Sequence, residues 1–250
     1  SSNISLKAAP RDTPCLSTKI LQRDPDSPPF DNRFHYRSLI GKLNFLTKST
    51  RPDCEYAVHQ CARFSSDPRQ EHGDAVIRIC QYLLGTKDKG IIIRPDREMS
   101  FEVYADADFC GNWYPKTAAD DPSTSRSRSG YIITYAGCIV AWASRLQTLA
   151  TLSGTEAEYV SLSEALRQVI PLMNILKDLK ERGFDVYSHA PRVYCKAFED
   201  NSGALEWARL PKIRPRTRHV NQVLHHFRDW VRSRQILLYP IDTTEQLADI

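Results

Sequence analysis

The spacing of hydrophobic residues changes near residue 90 and divides the chain into a helical part and a strand-rich part. Between residues 34 and 86, apolar residues recur every three or four positions in three runs, which predicts three helices. Over residues 101–109, apolar and polar residues alternate, which predicts a strand with one buried face. Residues 1–34 show no period and are rich in proline, so they predict an extended tail or linker.

The strand-rich part is predicted to form a mixed α/β sheet with helices packed on it. A short strand is predicted at residues 91–93, and a hairpin is predicted from residues 130–136 and 138–143, turning at Gly137. The later elements are a long helix over residues 154–182, a strand at 192–198, a short helix from 202, a basic helix at 217–234, a strand at 236–240 and a helix start at 243.

Composition narrows the class of protein. The chain has 250 residues, 41% of them hydrophobic, which is enough for one sizeable core or for a core and a smaller appendage. Its seven cysteines are an odd number and form no Cys-x-x-Cys pair, which argues against a zinc ribbon or a disulfide framework. No apolar run approaches the roughly 20 residues of a membrane span, and no signal peptide is recognisable. We therefore expect a soluble intracellular protein, or a piece of one, with no membrane partner.

Two glutamates near the start of the long predicted helix can be separated by helix geometry. Glu158 shares a stripe with Leu162, Ala165 and Val169, which is the apolar, inward face. Glu156 lies on a mostly polar face, so a surface or capping role suits it. An acid on a buried stripe is costly without a partner, and a metal ion supplies one. The pattern therefore favours Glu158 as a metal ligand.

Three aspartates are further candidates. Asp106 and Asp108 share one face of the strand at residues 101–109, so periodicity does not choose between them. Asp200 ends a predicted strand, and Asn201-Ser202 can cap the next helix, so Asp200 is either part of that cap or a metal ligand. Asp249 stands one residue from the end of the chain. Carboxylates repel one another, so several converge on one point only where cations neutralise them.

Several short sequence motifs resemble those of a known family. Residues 152–159 read Leu-Ser-Gly-Thr-Glu-Ala-Glu-Tyr, residues 199–202 read Glu-Asp-Asn-Ser and residues 216–220 read Arg-Thr-Arg-His-Val. These words resemble the ribonuclease H domain of copia-type LTR-retrotransposon polyproteins. Residues 36–43 and 50–53 are similar to the end of the reverse transcriptase that precedes that domain.

The resemblance implies an architecture and a function. It implies a ribonuclease H-like mixed sheet flanked by helices at residues 98–250, after the tail at 1–34 and a helical thumb or connection remnant at 35–97. It implies hydrolysis of the RNA strand of RNA–DNA hybrids during reverse transcription. The implied partners are the hybrid, the reverse transcriptase and other parts of the same polyprotein. The implied location is the cytoplasm, within a virus-like particle, and the nucleus.

The resemblance also assigns the metal ligands. In the family, the first acid of the Asp-Ala-Asp word is a ligand, which implies Asp106 rather than Asp108. Asp106, Glu158, Asp200 and Asp249 are then expected to be the catalytic residues and to hold two Mg²⁺ ions, which Mn²⁺ can replace. Two such ions about 4 Å apart activate a water and stabilise the leaving oxygen of a phosphodiester.

Basic residues form two candidate nucleic-acid contacts. Arg126 and Arg128 lie at the Ser/Arg end of the segment that follows Asp106. The second group belongs to an arginine-rich segment at residues 209–234 and comprises Arg214, Arg216, Arg218 and His219. Both groups are expected to hold phosphates beside the metal site. The alternatives are a flexible loop for the first group and a solvated helix face for the second.

The sequence also bears on three other activities. A domesticated or inactive ribonuclease H-like module would bind nucleic acid or protein with the same fold, although the intact carboxylates argue against it. A DDE-type transferase places its glutamate last among the acids, whereas here it is second. Polymerase activity is not expected of this chain alone, because it shows no sequence of the fingers or palm. Residues 239–244 lack the histidine that cellular and retroviral ribonucleases H carry before their last acid, so proton transfer passes to water or to another histidine.

Overall fold

The computed structural model describes residues 9–16, 20–24, 26–96, 98–119, 121–186, 193–210 and 226–249. The chain divides into two compact units, of which one is Ser1–Ile91 with Asn112–Ser125 and the other is Ile92–Gly111 with Arg126–Ile250. Residues 112–125 therefore belong to the helical unit, although they lie within the range that the sequence assigned to the ribonuclease H-like domain.

The first unit contains the three helices that the sequence predicts. They are α1 (Tyr36–Ser49), α2 (Glu55–Ala62) and α3 (Gln70–Gly85). Its core also takes in the proline-rich beginning of the chain, because Leu21, Phe30 and Phe34 are buried in the same cluster as the helices. The predicted tail therefore lies along the helices for part of its length.

Hydrogen bonds within the first unit hold the segment Asn112–Ser125. The Gln60 amide donates to Asn112 Oδ1 at 2.8 Å, and both side chains are buried. The Arg63 guanidinium donates to Ser123 Oγ at 3.3 Å. Thr117 Oγ1 donates to the side chain of Gln22 at 3.1 Å. The segment is thus bonded both to α2 and to the extended beginning of the chain.

The second unit is built on a five-stranded sheet. Its strands are β1 (Phe101–Asp108), β2 (Arg128–Tyr135), β3 (Cys138–Leu146), β4 (Cys195–Glu199) and β5 (Ile236–Pro240). Their order across the sheet is β3-β2-β1-β4-β5. The β1–β2 and β2–β3 pairs are antiparallel, whereas β1–β4 and β4–β5 are parallel. This is a ribonuclease H-like sheet, and the fold class predicted from the sequence is confirmed.

The core of the second unit lies between this sheet and a long helix. The helices of the unit are α4 (Gly154–Glu181), α5 (Ser202–Arg209) and α6 (Arg228–Arg232). Val103 and Ala105 on β1 and Leu162 and Leu166 on α4 are all completely buried in one cluster. Burying one such valine or leucine contributes about 1.5–3 kcal/mol, so this face holds α4 against the sheet.

Two elements differ from the prediction. Residues 91–93 form no strand, and Ile92 and Ile93 are 80% and 77% exposed. Thr243–Glu245 forms a single 3-10 turn instead of starting a longer helix. Of the basic helix predicted at residues 217–234, the described part contains only α6, and residues 211–225 lie outside the described residues.

No helix in the described ranges is long and apolar enough to cross a membrane.

Candidate metal centre

Three of the four predicted acids meet at one edge of the sheet. Asp106 lies near the end of β1, Asp200 follows β4 directly, and Glu158 lies in the first turns of α4. Because β1 and β4 are parallel neighbours, their carboxyl ends reach the same edge. One carboxylate oxygen from each of the three residues lies within 4.8 Å of the other two. The three side chains can therefore contact one metal ion together.

The start of α4 explains why Glu158 and not Glu156 reaches this edge. Ser153 Oγ accepts from the backbone N–H of Glu156 at 3.2 Å, and Glu156 Oε2 accepts from the N–H of Leu152 at 2.8 Å. These bonds satisfy donors at the helix start, which confirms the capping role of Glu156. Glu156 is nevertheless buried at 7% exposure, so a position on the surface was wrong. Two residues further on, Glu158 points about 200° away from Glu156.

A buried serine joins α4 to the strand that carries Asp106. The Ser161 hydroxyl donates to the backbone carbonyl of Asp106 at 2.7 Å and lies 3.1 Å from the carbonyl of Gly130. Ser161 is completely buried and stands three positions after Glu158, on the same side of the helix. These bonds set the position of Glu158 relative to Asp106.

The structure separates the two roles that the sequence left open for Asp200. The cap of α5 is made by Asn201, whose side chain accepts from the N–H of Ala204 at 3.0 Å. The Asp200 carboxylate instead accepts from the Thr243 hydroxyl at 2.8 Å through Oδ2. Asp200 is therefore free of the capping role and presents its carboxylate to Asp106 and Glu158.

The last acid, Asp249, lies beside the cluster of three but is not part of it. The Gln246 amide donates to the backbone carbonyl of Ala105 at 2.9 Å, which fastens the end of the chain to β1. Ala248 is buried, whereas Asp249 is exposed. The negative charge of Asp249 still contributes to raising the pKa of Asp106. Asp249 is thus within electrostatic range of the centre.

Burial and mutual repulsion disfavour the ionised form of these acids. Burial is the largest cause that raises the pKa of Asp106 to about 6, followed by the charges of Asp200 and Asp249. Burial also raises the pKa of Glu158 to about 10, followed by the charges of Glu199, Asp106 and Asp200. Glu158 Oε2 is buried and has no hydrogen-bond partner. Clustered carboxylates with an unsatisfied buried oxygen fit a hard divalent cation such as Mg²⁺, which takes oxygen ligands.

One acid near this centre was missed by the sequence reasoning. Glu199 is the last residue of β4 and is completely buried, and burial raises its pKa to about 8. The signal was present in the alternation of β4, because Cys195 and Ala197 on the same face are also buried. The metal-ligand assignment went to the neighbouring Asp200 instead.

The predicted phosphate-binding residues fall into different environments. Arg126 is exposed. Arg128 is 1% exposed, donates to Ser144 Oγ at 3.4 Å and lies opposite Asp108, whose pKa its charge lowers against the larger effect of burial. A phosphate cannot reach a side chain buried in this way. In this structure Arg128 instead contacts residues of the neighbouring strands. Arg214, Arg216, Arg218 and His219 lie outside the described residues.

Comparisons with known proteins place the chain among retrotransposon proteins. It is 32% identical over 214 residues to the retrovirus-related Pol polyprotein from transposon RE2 of Arabidopsis thaliana, which covers 86% of the chain and 14% of that polyprotein. The chain therefore spans only a small part of this relative. It is 35% identical over 135 residues to secreted RxLR effector protein 161 of Plasmopara viticola, which covers 54% of the chain and 89% of the effector. No protein-family model matches the chain.

A solved structure, the crystal structure of LC11-RNase H1 in complex with RNA/DNA hybrid, aligns with a TM-score of 0.35 and 14% identity. That alignment covers 59% of the chain and 89% of the solved protein.

Proposed function

Because the chain belongs to the Pol polyproteins of copia-type retrotransposons, as their ribonuclease H-like region, we propose that it hydrolyses the RNA strand of RNA–DNA hybrids. One observation carries the proposal: one carboxylate oxygen from each of Asp106, Glu158 and Asp200 lies within 4.8 Å of the other two. Three carboxylates at a partly buried edge repel one another, and a divalent cation would compensate their charge.

The proposed cofactor is Mg²⁺, two ions of it, with Mn²⁺ as a substitute. Asp106, Glu158 and Asp200 would hold the ions, and Asp249 would complete the set from its position beside them. When bound, the ions would supply the positive charge that activates a water and stabilises the leaving oxygen. The buried Oε2 of Glu158 has no hydrogen-bond partner, and such a charge would compensate it.

Other residues of the chain keep these carboxylates in place. The Thr243 hydroxyl binds one oxygen of Asp200, so the orientation of that carboxylate is restricted. Ser161 joins α4 to β1, so the helix that carries Glu158 is held against the strand that carries Asp106. In the proposed complex, the exposed Arg126 contacts a phosphate of the hybrid, and Arg214, Arg216, Arg218 and His219 are proposed to do the same.

The proposed partners are the RNA–DNA hybrid and the reverse transcriptase of the same polyprotein, and the proposed place of action is the cytoplasmic virus-like particle. A second candidate is an inactive module that binds nucleic acid or protein. The chain covers 89% of secreted RxLR effector protein 161, which is an effector and not a polyprotein. This similarity supports the second candidate.

A gel assay separates the two candidates. The chain is incubated with a labelled RNA–DNA hybrid, with duplex DNA and with duplex RNA, each in Mg²⁺ and in chelator. We expect cleavage of the RNA strand of the hybrid in Mg²⁺ only, leaving 3′-hydroxyl and 5′-phosphate ends. Binding of the hybrid without cleavage would favour the inactive module. Cleavage of duplex DNA would contradict the proposed substrate.

A further inference from the structure

A buried glutamine fastens the start of α4 to the sheet. Gln147 directly follows β3 and is completely buried. Its backbone N–H donates to the carbonyl of Ser127 at 2.8 Å, which continues the pairing of β2 with β3 by one residue. The main chain of Gln147 is therefore fixed, and its side chain lies in the interior of the second unit.

The side-chain amide of Gln147 donates two hydrogen bonds. Its Nε2 lies 2.9 Å from the backbone carbonyl of Ala157 and 3.0 Å from Ser129 Oγ, and all three residues are completely buried. Ser129 lies on β2 opposite Ala107, the residue that follows Asp106. The glutamine thus joins the first turn of α4 to the strand beside β1.

The carbonyl that Gln147 binds is the one next to Glu158. It belongs to the peptide group that links Ala157 to Glu158, and its two lone pairs allow it to accept from the glutamine as well as within the helix. One turn later, Ser161 fixes α4 again through its bond to the carbonyl of Asp106. Glu158 lies between these two fixed points, so its backbone cannot shift without breaking one of them.

Only a hydrogen-bond donor suits the position of the Gln147 amide nitrogen. The Ala157 carbonyl can only accept, which turns the nitrogen of the amide toward α4. The other end of the amide, Oε1, is then buried with no hydrogen-bond partner. A buried amide oxygen left unsatisfied is unfavourable and offsets much of what the two bonds contribute to stability. Stability alone is therefore a weak reason for a glutamine at this position.

We propose that Gln147 is a positioning residue, whose amide sets the place of the Glu158 carboxylate in the acidic centre formed by Asp106, Glu158 and Asp200. The inference rests on the proposed function, since it takes Glu158 as a metal ligand. Gln147 itself contacts neither the metal nor the hybrid in this proposal. Removing a group that orients a metal ligand typically lowers metal affinity or activity by about tenfold or more.

The test compares Gln147→Met with Gln60→Met in the full chain. Methionine keeps the length of the side chain and removes its hydrogen bonds. Gln60 is the matched control, because it is also buried and its amide also donates two bonds, to Tyr56 and Asn112, but in the first unit. Calorimetry measures Mn²⁺ binding, steady-state kinetics in Mg²⁺ measures hybrid cleavage, and a thermal melt in chelator shows whether each variant is folded.

We expect Gln147→Met to weaken Mn²⁺ binding and to lower kcat, each by about tenfold, and to change KM much less. Gln60→Met should leave the Mn²⁺ affinity, kcat and KM within about twofold of the wild type, because it shares no partner with the acidic centre. A loss of folding stability alone would affect both variants and would not separate kcat from KM.

A double-mutant cycle shows whether Gln147 acts through Glu158. In the Glu158→Gln background, adding Gln147→Met should change the Mn²⁺ affinity by less than about twofold, because the ligand that it positions is already lost. An equal reduction of affinity in both backgrounds would mean that Gln147 acts independently of Glu158, which would overturn the inference.

Wild-type Mn²⁺ affinity and kcat in a folded Gln147→Met would also overturn the inference. If Glu158→Gln loses Mn²⁺ binding while Gln147→Met keeps it, the proposed function stands and only the role of Gln147 falls. A wild-type chain that neither binds Mn²⁺ nor cleaves the hybrid contradicts both. If Gln147→Met does not fold, Gln147→Asn gives the same test, because its shorter side chain cannot reach Ala157 and Ser129 together.

Discussion

The hydroxyl of Ser161 donates a hydrogen bond to the backbone carbonyl of Asp106 across 2.7 Å. This bond joins the helix that carries Glu158 to the strand that carries Asp106, and the donor is completely buried. The geometry of the acidic centre therefore depends on a residue that contacts no substrate in the proposed mechanism.

Ser161→Ala should lower the free energy of unfolding by about 1 kcal/mol, because one buried hydrogen bond is lost. It should also lower kcat for hybrid cleavage more than it changes KM, since α4 is then less firmly placed against β1. Urea unfolding and steady-state kinetics measure the two effects. Ser66→Ala, at an exposed position in the turn after α2, is the control and should change neither quantity. A wild-type kcat in Ser161→Ala would show that the bond does not position Glu158.

Asp200→Asn should abolish cleavage of the hybrid in Mg²⁺. In chelator its melting temperature should equal or exceed that of the wild type, because a negative charge beside Asp106 and Glu158 is removed. A gel assay and a thermal melt on the same preparation check both outcomes. Near-wild-type cleavage by this variant would show that Asp200 does not hold a metal.

Glu158→Gln and Glu156→Gln should differ greatly in activity. Glu158→Gln removes a charge from the centre and should lower turnover by several orders of magnitude. Glu156→Gln keeps an oxygen that can accept from the N–H of Leu152, so it should cost little in turnover or stability. Single-turnover kinetics of both variants give the comparison. Equal losses, or losses in the reverse order, would contradict the helix phase on which the assignment depends.

Arg126 and Arg128 are two residues apart, but their alanine variants should differ in what they lose: hybrid binding for Arg126 and stability for Arg128. Arg126→Ala should leave the unfolding free energy unchanged and weaken hybrid binding, with the slope of log K against log salt flatter by roughly 1. Arg128→Ala should lower the unfolding free energy by roughly 3 kcal/mol, because a buried side chain is removed and the partly buried Asp108 loses its neighbouring positive charge. Binding titrations at several salt concentrations and denaturant unfolding separate the effects. A destabilised Arg126→Ala or a fully stable Arg128→Ala would contradict the placement of these side chains.

His72 should make the first unit sensitive to acid. Its Nδ1 accepts from the N–H of Arg69 at 2.9 Å and its Nε2 lies 2.9 Å from the carbonyl of Gln22, so the buried ring is held neutral. Burial lowers its pKa, with Arg63 and Arg69 acting in the same direction, and this outweighs the opposite effects of the Gln22 bond and Glu71.

The folded state then binds fewer protons than the unfolded state as the pH falls through about 6.5, the ordinary pKa of histidine. Stability is therefore expected to fall on acidification by at most about 1.4 kcal/mol per pH unit from this group. Urea unfolding of the wild type and of His72→Gln at pH 7.5 and pH 5.5 isolates the contribution. An acid dependence that is identical in the two proteins would contradict it.

Periodicity was sufficient to predict the elements that carry the centre. The alternation of β1 and the apolar stripe of α4 are local consequences of which side chains face the core, so Asp106 and Glu158 were placed correctly on their elements. The ligand set itself came from the family resemblance. Sequence alone did not show which of Asp200 and Asn201 caps the helix, because both residue types are suited to either role; the hydrogen bonds of the folded chain distinguish them.

Other features depend on contacts between residues far apart in sequence. Arg128 reads as an exposed residue of a Ser/Arg segment, but the register of β2 against β1 places it opposite Asp108. Ile91, Ile92 and Ile93 have high strand propensity, yet no neighbouring strand pairs with them in the described part of the chain. Long-range pairing, which leaves no periodic signal, decided both.

The segment Asn112–Ser125 has a practical consequence for anyone who wishes to produce the ribonuclease H-like unit alone. A chain shortened to residues 92–250 would keep these fourteen residues but lose Gln22, Gln60 and Arg63, to which they are hydrogen-bonded. Asn112 and Thr124, both buried in the intact protein, would then be exposed to solvent, where proteases and self-association act on unsupported loops. A shorter connection from Gly111 to Arg126 would remove that liability and leave the strands that carry the carboxylates intact.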